Sequence, residues 1–229
     1  MNGSAALVST WLRAVAPHAT AVAAGMIGPA TAFDESERTA IACAVAKRRN
    51  EFLTGRELAR RALDGLGCPA APIPVGDMRM PVWPEGYVGS ISHSGGLCVA
   101  HVGRSGDLAG IGIDIELVGA LGLHLVSQAC SPEEWAAAEC DRRSDIDPGT
   151  LCFSAKESVY KAYFPLTRVF LDHADVRLQI DWARGRFAAR VKDDRPSVAG
   201  RRELFGRFSR VGDHVATAVW IERRDQPER

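Results

Sequence analysis

Hydrophobic and polar positions alternate with two different periods along this chain. In "GIGIDIE" (110–116) the period is two: Ile111, Ile113 and Ile115 point one way, and Gly112, Asp114 and Glu116 the other. That is the pattern of a β-strand packed on one face. "YVGSISHS" (87–94) and "LCVAHVG" (97–103) read as two more strands around a Gly95-Gly96 turn, a hairpin. The stretch from Asp34 to Gly67 reads instead as helix, acidic at its start and closed by Gly65 and Gly67, with Asn50 or Thr54-Gly55 as a place to divide it. "SPEEWAAAEC" (131–140) has the Ser, Pro and Glu of a helix start. A further helix is expected to begin at Ser154 and to be limited by Pro165. Three or so strands close the chain, among them "RFAARVK", "LFGRFSR" and "HVATAVWI", with Gly212-Asp213 as the last turn. Residues 68–86 are too rich in proline for a central strand, and the segment before residue 34 signals only weakly. Helix, hairpin, strand, helices, then hairpins is an α+β order. "RSGD" (104–107) divides it into halves, 1–105 and 106–229.

Composition narrows the partners. The chain of 229 residues is 46% hydrophobic and 24% charged, ordinary for a globular protein. Its 28 basic and 28 acidic residues balance, so no global field argues for nucleic acid or a membrane surface. No run approaches the roughly 18 apolar residues of a membrane span. The N-terminus lacks the basic start of a signal peptide. Six cysteines without a CxxC pair read as free thiols and a cytoplasmic location. Only four of the basic residues are lysines, and two of them, Lys156 and Lys161, stand in "FSAKESVYKAYF". Lysine offers a compact point charge where arginine offers a planar fork, so the ammonium itself is implicated there.

Three constellations could carry chemistry. Asp114 and Glu116 lie about 7 Å apart at Cα on one strand face, where like charges repel unless a divalent cation or open solvent separates them. Ser154 and Glu157 have the spacing of a capping box, yet Glu157 and Lys161 share a helix face, with Lys156 beside them. A helix start with two ammonium groups suits phosphate, and Asp114, Glu116 and Glu157 with substrate oxygens and water would complete a Mg²⁺ octahedron. In "AKRRNEFLTGRELARR" (46–61), Arg48 and Arg56 fall near one side and could meet one anion; a solvated helix face is the plain alternative. Ser92-His93 has no partner spacing for a hydrolytic triad.

"WPEGYVGSISHS", "GIGIDIE" and "FSAKESVYKAYFP", with "AKRRNEFLTGR" upstream, together resemble the Sfp/EntD-type 4′-phosphopantetheinyl transferases over residues 40–171. The resemblance implies two similar α+β halves related by a pseudo-two-fold axis, a monomer with coenzyme A in the cleft between them. It implies Mg²⁺-dependent transfer of the phosphopantetheine arm of coenzyme A to a serine of an acyl or peptidyl carrier protein, releasing 3′,5′-ADP. It makes Asp114, Glu116 and Glu157 metal ligands, with the Ile115 carbonyl also facing the ion. Arg48 and Arg56 would meet the 3′-phosphate and adenylate end of coenzyme A, Ser92 and His93 its phosphates, and Lys156 and Lys161 its pyrophosphate. Leu171 would line the pantetheine arm, and Val75, Gly76, Asp77 and Met78 the adenine side. Val75 and Met78 stand where relatives often carry basic residues, and Phe153 where they carry Trp. Glu157 is the expected general base, a metal-bound hydroxide being the open variant, and Lys156 a candidate to protonate the leaving phosphate. A metal-dependent phosphohydrolase using the same carboxylates and a nucleic-acid module using residues 47–61 are the alternatives.

Overall fold

The computed structural model describes residues 3–140 and 146–223. In chain order its elements are α1 (Gly3–Val15), β1 (Thr20–Met26), α2 (Glu35–Ala40), α3 (Ala46–Asp64), β2 (Tyr87–Ser94), β3 (Leu97–Arg104), β4 (Leu108–Leu117), α4 (Leu123–Ala129), α5 (Pro132–Cys140), α6 (Pro148–Thr167), β5 (Val176–Asp181), β6 (Arg186–Val191), β7 (Glu203–Val211) and β8 (His214–Glu222). They build two antiparallel sheets, one ordered β1-β3-β2 and one ordered β4-β8-β7-β6-β5. The protein is mixed α and β. Each sheet carries one long helix, α3 on the first and α6 on the second. Among the described residues no helix is long and apolar enough to cross a membrane.

The alternation in β4 explains how the two sheets meet. Ile111, Ile113 and Ile115 are each 1% exposed and pack with Val8 and Leu12 of α1, Leu97 and Val99 of β3, and Ala216 and Ala218 of β8. The other face of β4 lies under α6 instead of solvent. A Cβ at Gly112 would stand 1.8 Å from the Ser158 carbonyl oxygen, so only glycine lets the helix come this close. Leu151, Ala155, Val159 and Tyr163 of α6 then fill a second core with Phe187, Phe208, Val215 and Val219.

β2 and β4 run side by side without a main-chain ladder. Ser90, Ser92 and Ser94 point their hydroxyls at β4, where they accept the N–H groups of Ile113, Ile115 and Leu117 at 3.1, 3.3 and 3.2 Å. Side-chain hydroxyls thus replace main-chain carbonyls as acceptors along the seam, and these three amides of a buried edge stay satisfied.

Four expectations change. The segment before residue 34 forms α1 and β1. The helix from Asp34 divides at residues 41–45, ahead of Asn50 and Thr54. Gly55 lies inside α3, where its bare Cα admits the Ile91 side chain at 3.0 Å from a would-be Cβ. Most consequential for the chemistry, α6 starts two turns before Ser154. Asp147 accepts the Thr150 amide at 2.8 Å and Pro148 takes the first turn, while the Ser154 hydroxyl bonds Thr217 at 3.0 Å. Ser154 and Glu157 are therefore mid-helix, and no capping box forms between them. Pro165 falls in the last turn, and α6 continues to Thr167.

Candidate active site

β2, β4 and α6 bring Ser92, Asp114 and Lys161 into direct contact. Lys161 Nζ donates to Asp114 Oδ1 at 2.6 Å and to Ser92 Oγ at 3.1 Å, and Ser92 Oγ donates to Asp114 Oδ1 at 2.9 Å. Asp114 Oδ2 is buried with no hydrogen-bond partner. Two residues on, Glu116 accepts from the Ser94 hydroxyl at 2.9 Å. The Ile115 amide points to Ser92, so its carbonyl, on the same edge of the strand, also faces β2.

Burial and mutual repulsion leave these carboxylates short of positive charge. Burial pushes Asp114 above the ordinary carboxylate range, although Lys161 pulls it back. Burial and then the charge of Asp114 push Glu116 up to about 7. Glu157, on α6 one turn before Lys161, is pushed up by burial. The His173 imidazole at 3.2 Å and the Lys161 ammonium outweigh that and hold it below its usual value. An unpartnered buried oxygen beside a second carboxylate of raised pKa fits a divalent cation. Among the described residues no three His, Cys, Asp or Glu groups stand close enough to hold a metal unaided. The cage expected from Asp114, Glu116 and Glu157 is not preformed: Lys161 sits on Asp114 and His173 on Glu157. Magnesium tolerates this, since it binds through one or two carboxylates plus phosphates and waters.

Lys156 does not join that cluster. Its ammonium is 4% exposed and donates to Glu134 Oε2 at 2.8 Å and to the His173 carbonyl at 3.1 Å. The expected direct role at a pyrophosphate finds no support in this geometry.

Two hollows flank Glu157 and Tyr160. One, of about 220 Å³, is walled by Met78, Arg79, Trp83, Ser90, Ile91 and Lys161. The other, of about 330 Å³, is walled by Lys156, Phe170, Leu171, Asp172, His173 and Val176. A larger surface concavity of about 1070 Å³ lies at the far end of α6, around Leu166, Thr167 and Leu108. It touches none of the clustered carboxylates.

Across the seam, Arg48 Nη1 lies 3.5 Å from His93 Nε2 and 3.7 Å from Glu51. Burial, with Arg48 second only to Glu51 in charge effect, holds the His93 imidazole below its ordinary range. Arg56 is buried, bonds the Ile73 carbonyl at 3.1 Å and stacks on Phe52. Burial lowers its pKa to about 10 against the pull of Glu37, with Arg48 and Arg60 repelling it. Crowded arginines of this kind suit an anion. Val75 and Met78 are exposed, and Asp77 lies 3.4 Å from Arg168 at the end of α6. Met78 and Arg79 both have left-handed backbone, φ 48° and 65°. Sequence reasoning missed Ser94, Glu134, Tyr160 and His173 as site residues; Ser94 left a signal as the third serine of a period-two run, and Glu134 left one only as the Glu of a helix start.

The chain matches the 4′-phosphopantetheinyl transferase N-terminal domain over residues 36–103 and the 4′-phosphopantetheinyl transferase superfamily over residues 110–219. It is 40% identical over 221 residues to the 4′-phosphopantetheinyl transferase Svp of Streptomyces mobaraensis, covering 95% of this chain and 88% of that one. It is 39% identical over 190 residues to PptT of Mycobacterium tuberculosis, covering 80% and 83%. Enterobactin synthase component D of Escherichia coli K12 is 40% identical over 119 residues, covering 51% and 55%. The chain belongs to the 4′-phosphopantetheinyl transferase superfamily, on the Sfp/EntD side. It is a transferase that moves phosphopantetheine to carrier proteins, with coenzyme A as co-substrate.

Proposed function

We propose that the cluster of Asp114, Glu116, Glu157 and Lys161 carries out Mg²⁺-dependent attack of a carrier-protein serine on the β-phosphorus of coenzyme A, releasing 3′,5′-ADP. The observation that carries this reading is Asp114 Oδ2, buried and unpartnered beside Glu116. Asp114 and Glu116, with the Ile115 carbonyl, would hold the ion, and Glu157 would complete its protein ligands. When bound, magnesium neutralises and aligns the pyrophosphate oxygens.

The chain's own groups divide the remaining work. Lys161, held by Asp114 and Ser92, faces the pyrophosphate as a point charge. Ser92 and His93 line the same phosphates from β2. Glu157 takes the serine proton as the new P–O bond forms and the bond to the 3′,5′-ADP oxygen breaks. Its lowered pKa keeps it ionised and able to accept. The adenylate end rests between Arg48, Arg56 and the loop Val75, Gly76, Asp77 and Met78. The pantetheine arm follows the hollow walled by Leu171. Lys156 acts through the His173 carbonyl and so steadies the imidazole that touches Glu157. The burial of Arg56 and the ion pair of Arg60 with Glu37 leave α3 a poor free surface for nucleic acid.

The test is the mass of an apo carrier protein after incubation with enzyme, coenzyme A and Mg²⁺. One added phosphopantetheine and one 3′,5′-ADP per carrier are expected, both lost in excess EDTA. Transfer undiminished by EDTA overturns the metal role, and 3′,5′-ADP release without a carrier favours the hydrolase reading.

A further inference from the structure

Cys130 and Cys152 face each other inside the C-terminal half, and nothing in the transfer reaction uses them. Cys130 follows the last turn of α4, and Cys152 lies in the second turn of α6. Both are free thiols, 6% and 0% exposed, with their sulfurs 3.1 Å apart and sharing one hydrogen. Among the described residues no third His, Cys, Asp or Glu joins them in a metal-holding group. A disulfide needs sulfurs about 2.05 Å apart, so closing this pair takes a movement of only about 1 Å.

The electrostatics agree with the geometry. The hydrogen bond between the two sulfurs outweighs burial and holds the Cys130 thiol below its ordinary range. The same bond and burial push Cys152 up. One sulfur is thus disposed to attack and its neighbour to resolve. The other described cysteines lack this arrangement: Cys43 is exposed, Cys68 bonds the Pro69 carbonyl, and burial pushes Cys98 up to about 12.

We propose that Cys130 and Cys152 are a reversible modification site, oxidised by a hydroperoxide to an intramolecular disulfide that staples α4 to α6. Cys130 thiolate attacks one peroxide oxygen, the O–O bond breaks, and with a proton the leaving oxygen departs as water. Cys152 then attacks the Cys130 sulfenic sulfur, and the second oxygen leaves as water with the Cys152 proton. Two thiols and one H₂O₂ give one disulfide and two waters, the sulfurs supplying both electrons.

The staple falls beside an existing cross-link. Ser131, next to Cys130, donates its amide to Glu134 at 2.9 Å, and Glu134 binds Lys156, one turn after Cys152. Oxidation therefore reinforces the junction on which the catalytic helix already leans, and it closes the loop that contains α5.

The experiment treats the full chain with hydrogen peroxide, blocks remaining thiols with iodoacetamide and maps the peptides. The expected result is one peptide linking Cys130 to Cys152, two hydrogens lighter and released by dithiothreitol. Thermal unfolding of the oxidised protein should rise by roughly 5–10 °C, since the closed loop restricts the unfolded chain. Cys130→Ala should show neither the link nor the rise. The wild-type map stands whether or not that variant folds. Alkylated thiols at both positions after peroxide, linkage of either to another cysteine, or a linked protein with unchanged or lower melting temperature would each overturn the proposal.

Discussion

Two lysines of α6 each pair with a carboxylate, and the pairs differ in one respect that separates support from chemistry. Around Lys156 every acceptor is used: Glu134 Oε2 takes the ammonium at 2.8 Å and the Ser131 amide at 2.9 Å, while Oε1 takes the Leu178 amide at 2.7 Å. Around Lys161 the pair is open: Asp114 Oδ1 is bonded, Oδ2 is not, and the ammonium side chain is 26% exposed. A closed buried pair fixes two elements to each other. An open one, beside further carboxylates, retains the capacity to bind something else.

The largest effect should come from emptying the open pair of its function. Asp114→Asn and Glu157→Gln should each reduce initial transfer rates by about 10²- to 10⁴-fold with the fold intact by circular dichroism. Near-normal transfer in either variant would remove that carboxylate from the chemistry.

The next largest effect contrasts the lysines directly. Lys156→Met strands the buried Glu134 charge and should cost about 3–5 kcal/mol, a fall in melting temperature of roughly 10 °C. Lys161→Met removes an ammonium side chain that is 26% exposed, and the Asp114 carboxyl it uncovers, already raised by burial, can take up a proton. Melting should shift by only about 2–4 °C, yet transfer should slow at least about tenfold, a contribution of about 1.4 kcal/mol or more to the transition state. The spacing in "AKESVYK" treats the two alike; burial predicts opposite signatures. Equal melting temperatures would erase the distinction drawn between the pairs.

The smallest effect is a pH dependence at Glu116. Its carboxyl rises from an ordinary 4.5 to about 7 on folding, so the native state favours the protonated form. The stability this brings is fully present below pH 4.5 and is lost as pH rises through about 7. Without divalent cations, Glu116→Gln should therefore match wild type near pH 4.5. At pH 8 it should be more stable by about 1–2 kcal/mol, after allowance for solvent screening. Melting curves across that range decide it; a constant difference would mean that Glu116 does not titrate as its surroundings dictate.

The sequence made some of this legible and hid the rest for physical reasons. β4 was readable because a strand with one buried face must alternate, and the β2–β3 hairpin because Gly95-Gly96 supplies the turn. The true start of α6 was hidden by competition between two local signals. Asp147-Pro148-Gly149 resembles a turn, while Ser154 and Glu157 mimic a cap; tertiary contact to Thr217 takes the Ser154 hydroxyl instead. The weak N-terminal segment folds because α1 and β1 find partners in β3 and β7, which local pattern does not record. Asp114, Glu157 and Lys161 were found as residues, yet their environment was not. The His173 contact to Glu157 and the closure of Lys156 by Glu134 depend on chain folding from both sides of α6.

The seam of serines also has a bearing on how reliably the chain finds its register. Three hydroxyls at alternate positions read three amides at alternate positions, like the teeth of a vernier scale. A slip of β2 by one residue would present Gly89, Ile91 and His93 to β4 in place of Ser90, Ser92 and Ser94. All three amides would lose their acceptors together, and Asp114 its hydroxyl. No one-residue slip survives such a comparison. The strand that proofreads the joining of the two sheets is the same one that sets Ser92 against Asp114, so an assembled interface and an assembled site are one event.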